Sequence, residues 1–312
     1  MEGLFLNVDK RIKMNRKYWF VGFIILINFL NAGSGFYFLR TEMPAKEIAS
    51  AQTSYLFSQS AENSQINPGS AYGNEIFTAG VSYRTLFDDA EAGIFSVSYR
   101  DGNRQYGLIV SSLNISGLEG RDIPSESPLY EFGSNNIIVN GNFAFESGYG
   151  FKLGISAKYL FEKIEYEDSY GYAFSAGVFR ENNFIEGLNL GLAVNNIGKM
   201  NELNTESSKL PSDAVFGIGY IYRTTFNIDL KAGNSVRFLF EDLDMENYIG
   251  LEIAYLDRFF FRSGLRAMNE GMPFSAGIGL VVDKFTFDYA YTPFSDVEGD
   301  DSHCISLKYC LK

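Results

Sequence analysis

A single histidine, His303, occurs in the 312 residues, and it stands beside Asp300, Asp301 and Cys304. With a serine it could form the pair that nucleophilic hydrolases use, and with the acids and the thiol it could ligate a metal. Neither chemistry has an identifiable partner set. The carboxylates are hard ligands, the thiol is soft, and their spacing matches no ligand pattern. The expectation is therefore a protein without catalytic, metal or cofactor residues. The acids Glu162, Glu165, Glu167 and Asp168, and later Asp296, Glu298, Asp300 and Asp301, could offer oxygen ligands to calcium, but read more simply as solvated loop acids. Cys304 and Cys310 are six residues apart on one extended stretch. At about 3.3 Å per residue they lie roughly 20 Å from each other, too far for a disulfide.

The segments that carry these residues alternate apolar and polar side chains. Phe151, Leu153, Ile155, Ala157, Tyr159 and Phe161 oppose Lys152, Gly154, Ser156 and Lys158, and Phe285, Phe287, Tyr289 and Tyr291 oppose Thr286, Asp288 and Ala290. Strands are predicted near 76–84, 91–100, 105–113, 137–145, 150–161, 171–180, 187–195, 214–230, 235–241, 247–255, 258–267, 273–282, 284–292 and 303–311. Residues 214–230 are taken as one strand because Phe216 through Leu230 keep one parity, which places a turn at Ala232-Gly233-Asn234. Connections are short after even-numbered strands and long after several odd-numbered ones. That pattern, with tyrosines near strand ends, predicts an all-β, antiparallel transmembrane barrel of 14 strands over residues 76–312, with both termini periplasmic. A secreted β-sandwich shares the period of two but not the alternation of turn lengths.

On the polar phase, Lys152, Lys158, Glu252, Arg262, Arg266, Asp288 and Lys308 would form a mixed-charge lumen that holds a plug by ion pairs. The plug is predicted at 35–75, where clean alternation is missing, and Asn67-Pro68-Gly69 is read as its fixing turn, with Pro setting φ and Gly permitting positive φ.

Lys10, Arg11, Lys13, Arg16 and Lys17 precede the apolar run 20–30, and Ala32 and Ser34 sit at cleavage positions, so residues 1–34 read as a signal peptide. Met14 is an alternative start. Loss of those five bases and of Glu2 and Asp9 would shift the net charge from −12 to −15, which argues against nucleic acid as a partner. No second apolar run approaches the length of a membrane helix, so a spanning chain must close as a barrel.

Phe38-Leu39, the run 45–51, Asn67-Pro68-Gly69, Asn195-Asn196-Ile197-Gly198, Arg262-Ser263-Gly264-Leu265-Arg266, the run 288–294 and His303-Cys304-Ile305-Ser306-Leu307 resemble the PorV/PorQ family of outer-membrane proteins. The resemblance implies the barrel of the long-chain fatty acid transporters. It further implies a non-enzymatic component of surface protein export, type IX secretion-like, with partners among secretion subunits and exported cargo, in addition to outer-membrane lipid and lipopolysaccharide. Loops 114–136 and 196–213 would be the contact surface. The alternative is a FadL-like transporter of hydrophobic small molecules.

Overall fold

The computed structural model describes residues 36, 38–41, 43–86, 90–120, 129–181, 185–203, 206–207, 209–241, 243–267, 274–293 and 301–312. The predicted signal peptide and the acids Asp296, Glu298 and Asp300 lie outside the described residues. The strands are β1 (Phe77–Thr85), β2 (Ala90–Asp101), β3 (Arg104–Gly120), β4 (Tyr130–Gly148), β5 (Phe151–Ile164), β6 (Glu167–Glu181), β7 (Leu188–Met200), β8 (Glu202–Leu203), β9 (Glu206–Ser207), β10 (Asp213–Arg223), β11 (Ile228–Leu239), β12 (Met245–Tyr255), β13 (Phe259–Ala267), β14 (Phe274–Val282), β15 (Phe285–Thr292) and β16 (Ser302–Leu311). Strands β8 and β9 form a small separate hairpin, and the other 14 close an antiparallel barrel in which β1 pairs with both β2 and β16.

Strand closure leaves no unpaired edge, and the alternation of side chains decides what each face meets. Val81, Phe95, Ile155, Phe174, Leu192, Phe216, Leu251, Phe261, Ile278 and Ile305 point outward and are exposed. Lys152, Lys158, Asn140, Arg237, Glu252, Arg262 and Asp288 point inward and are buried. An apolar outside around a polar inside is the reverse of a soluble barrel and suits lipid. Tyr99, Tyr106 and Tyr255 lie outward near the end with the short turns, and Tyr83, Tyr159 and Tyr172 near the other, as two interfacial girdles. In such barrels the turn end is periplasmic and the loop end faces outside.

Three expectations change. The chain turns at 224–227, not at 232–234. Asn227 takes φ +57°, Arg223 pairs with Asp229, and Gly233 lies inside β11. Parity could not reveal this turn, because residues paired across an antiparallel hairpin share a face and these pairs have even sums, so the apolar phase runs through unbroken. The strand count survives because 228–230 joins the segment predicted at 235–241.

The stretch 114–136 is mostly wall, since β3 and β4 run on to Gly120 and Tyr130 as a tall hairpin with a register shift between Ile115 and Leu118. Finally, the described chain does not begin at the periplasmic end. Phe36 and Phe38 pack with Leu86 and Met200 near the loop end, and the segment descends through the lumen to β1.

Candidate functional site: the plugged lumen

The described residues between 36 and 76 thread the barrel as two short helices (Phe38–Thr41 and Ala45–Ala49) and three short 3-10 segments (Ser54–Leu56, Ala61–Gln65 and Pro68–Ala71). Such short pieces cannot hold themselves together, so their stability must come from the wall. Each docks on a different arc. The Ala45 N–H donates to Ser306 Oγ at 2.9 Å, and Ser275 Oγ donates to the Ala49 carbonyl at 3.2 Å. The Tyr55 hydroxyl meets Ser235 Oγ at 3.1 Å, and Asn189 Nδ2 donates to the Leu56 carbonyl at 2.6 Å. Ser96 Oγ donates to Glu62 at 2.8 Å, and Asn140 Nδ2 to Ser64 Oγ at 3.2 Å.

The close approach is possible because glycines line the inward phase at mid-height. Gly191 pairs with Gly217, and Gly233 with Gly250, which pairs in turn with Gly264. A Cβ on Gly217 would fall 2.0 Å from the Tyr55 hydroxyl, and one on Gly250 1.9 Å from Thr53 Oγ1.

Asn67-Pro68-Gly69 opens the last 3-10 segment, and Gly69 is required there by space, not by φ. The Asn67 side chain accepts from the Gly69 N–H at 2.9 Å and donates to the Val178 carbonyl at 3.0 Å. Gly69 is not among the glycines with positive φ. It is needed because a Cβ there would lie 2.7 Å from the Phe179 backbone nitrogen.

The seven predicted lumen charges are all on the inner phase, and most of their described partners belong to the wall. Lys308 lies 3.6 Å from Glu62. Arg262 bridges two wall carboxylates, Glu252 at 2.5 Å and Asp288 at 2.6 Å, and Lys231 closes the cluster on Glu252 at 2.8 Å. Lys152 pairs with Glu181 at 2.6 Å, and Lys158 donates to Asn196 at 2.8 Å. Arg266 stands over the Tyr248 ring, 5.4 Å from its centroid. Two plug contacts were missed, Arg40 to Glu246 at 2.5 Å and Arg237 to Gln52 at 2.8 Å. Nothing local marks Glu246 or Gln52 in sequence, because the two sides of each contact lie far apart along the chain.

Burial would raise the Glu62 carboxyl, but the neighbouring Lys308 and Lys46 ammonium groups and the Ser96 hydrogen bond outweigh it and hold the group below its ordinary range. A depressed carboxyl stabilises the seated plug above its unfolded pKa of about 4.3, and this contribution is lost as the pH falls through the lower folded value. Acidification below that point should make the native plug protease-sensitive. In Glu62→Gln that acid step should disappear, and a protease titration across pH 2–6 with both proteins reads the difference.

Polar groups do not fill the whole lumen. At the loop end Phe38, Leu39, Ile138, Leu160, Ala173, Met200 and Leu210 form an apolar lobe, with Ala92 and Leu113 at its side. Leu210 belongs to the stretch expected as an exposed contact loop, yet it is buried in the barrel. Its segment is drawn in by Ser212 Oγ, which donates to the Asn196 carbonyl at 2.8 Å, and by Asn196 Nδ2, which donates to the Pro211 carbonyl at 3.2 Å. A second lobe of Met43, Tyr55, Leu56, Phe57, Ile66, Phe179 and Val215 lies deeper. Asn196 sits at φ +57° in a bulge where β6 and β7 shift register between Phe174 and Ala176. Outside the same bulge, the lipid face has a concavity of about 670 Å³ walled by Phe143, Ile155, Phe174 and Ile197, with Gly141, Ala157 and Ala176 among its lining residues.

His303 points outward, where its Nδ1 meets the Tyr289 hydroxyl at 2.8 Å and its ring packs against Tyr291. Among the described residues no serine or further metal ligand is brought to it, and no three His, Cys, Asp or Glu side chains converge. Cys304 is buried and Cys310 half-buried, both as free thiols.

No protein-family model matches the chain, and no curated protein matches it. Solved structures do match. The toluene transporter TbuX of Ralstonia pickettii superposes with a TM-score of 0.63 at 10% identity, over 86% of this chain and 98% of that one. The CymD monoaromatic hydrocarbon channel gives 0.62 at 11%, over 86% and 97%. A Pseudomonas aeruginosa FadL homologue gives 0.54 at 12%, over 86% and 98%. At such identities the likeness establishes a shared fold, the 14-stranded outer-membrane barrel of the FadL-like transporters. The barrel fold that the sequence resemblance implies thus has structural support, and nothing matched supports PorV/PorQ itself.

Proposed function

We propose that this barrel admits small hydrophobic molecules at the outer side of the membrane and releases them into the bilayer. The observation that carries the reading is the apolar lobe around Leu160, Met200 and Leu210 at the loop end of the lumen, with a second apolar lobe deeper. A lumen that only conducted ions gains nothing from an aliphatic cluster next to the outside. Straight passage to the periplasmic end is closed by the buried plug residues Asn63, Ser64 and Asn67, whose layer is polar and suits no apolar solute. The β6–β7 bulge separates the lumen from the apolar concavity on the lipid face, which offers a sideways release; bulges recur beside functional sites. The similar solved proteins named as toluene and monoaromatic hydrocarbon transporters favour the same substrate class. No feature of the structure favours protein export, and the inward course of residues 209–212 removes part of the surface that export would use.

The test is uptake of deuterated toluene and decane by Gram-negative cells expressing the barrel, against cells with empty vector. Uptake should rise several-fold. Leu160→Asp should bring it back close to the empty-vector level, because a carboxylate in the lobe makes it hostile to apolar solutes. Equal uptake with and without the barrel would contradict the proposal.

A further inference from the structure

The outward-facing Lys and Arg side chains of the described strands are Arg104 and Arg180 at the turn end and Lys163 and Lys199 at the loop end. The two loop-end lysines stand on β5 and β7, which flank β6 and, with it, wall the concavity on the lipid face. Lys199 lies over the outward ring of Tyr172, 5.9 Å from its centroid, and neither lysine makes an ion pair among the described residues. Asp168, the residue paired with Lys163 across the strands, accepts from the Tyr170 hydroxyl instead. A ring orients an ammonium group without neutralising it, so positive charge is left for a ligand.

The concavity opens directly below. Lys199 pairs with Tyr172, and Tyr172 with Tyr159. One row nearer the turn end on the same face are Ile197, Phe174 and Ala157, which line the hollow, and the row after that includes Ile155. Tyr159 and Ile155 are about 13 Å apart along the strand. At the usual barrel tilt this is about 10 Å of depth, close to half of the roughly 25 Å apolar band. The hollow of about 670 Å³ thus reaches into the outer leaflet and carries a cation at its headgroup edge. We infer that this surface holds one lipopolysaccharide molecule, with a phosphate on Lys199, Lys163 above it, and an acyl chain in the concavity. In a chain of net charge −12, outward cations confined to this arc of the loop end favour an anionic head over a zwitterionic one. The site goes beyond the transport reading and stands without it.

Native mass spectrometry of the full barrel in mild detergent, incubated with equal amounts of diphosphoryl lipid A and phosphatidylglycerol, reads what stays bound. One lipid A per barrel is expected. Lys199→Gln should lower its occupancy at least fivefold and Lys199→Arg should keep it, whereas Arg104→Gln at the turn end should leave it unchanged. Ala157→Phe, which fills the concavity and spares the lysines, should lower it as well. Heat-dependent gel mobility shows that each variant is folded. No retained lipid A, undiminished retention in Lys199→Gln or in Ala157→Phe, or equal retention of phosphatidylglycerol would overturn the site and leave the transport reading standing.

Discussion

Gly177→Val releases the plug while the barrel wall stays closed. The inward face of Gly177 is where the Asn67-Pro68-Gly69 turn lies against β6, and an added Cβ would fall 2.1 Å from Asn67 Oδ1 and 3.0 Å from Pro68 Cδ. Backbone and wall cannot both yield, because Asn67 is also bonded to the Val178 carbonyl next door. Overpacking of this kind costs about 1–3 kcal/mol, and it falls on a segment of isolated turns with little stability of its own. Two changes should be visible together. The plug becomes sensitive to protease at Lys46, and conductance in a planar bilayer rises by roughly an order of magnitude as the lumen fills with water. Gly141→Val is the control, since Gly141 faces lipid and its Cβ would meet nothing within 4 Å. A protected plug and unchanged conductance in Gly177→Val would show that the turn is not what seats it.

Arg262→Met costs the barrel about 3–5 kcal/mol, the usual result of leaving buried charges uncompensated. The guanidinium holds Glu252 and Asp288 at 2.5 and 2.6 Å, and all three side chains are at most 7% exposed. Without it two carboxylates remain in a crowded lumen, with Lys231 compensating only Glu252. Urea unfolding followed by the shift between folded and unfolded gel mobility gives the difference. The triple variant Glu252→Gln, Arg262→Met, Asp288→Asn should recover most of the loss, because it removes the charges along with the pairing. An unchanged midpoint in the single variant would mean that water reaches the cluster and screens it.

Much of the wall was legible because a period of two and the alternation of turn lengths are local signals. The turn at 224–227 was not, since an even-sum hairpin preserves parity and Asn227, the one residue there suited to positive φ, stands inside a run whose apolar phase is unbroken. The plug could be recognised from its missing alternation. Its seating could not, because Gly154, Gly177, Gly191 and Gly217 read as weak strand residues until their inward neighbours are known. In the lumen, the charged residues were identifiable by phase, but their partners were not, since Arg40 and Glu246 are brought together only by closure and threading. Leu160 and Phe179 are apolar residues on the polar phase, a signal present in the sequence, and they mark the two lobes. Leu210 gave no such signal, because a loop that folds inward has the composition of one that does not.

What the lumen carries decides between transport and export. Mass spectrometry of the proteins and small molecules that co-purify with the full barrel from its native membrane in mild detergent addresses this directly. A bound apolar or amphiphilic small molecule, lost in Leu160→Asp, is the predicted result. Recovery of stoichiometric exported proteins or secretion subunits, with no small molecule in the lumen, would contradict it.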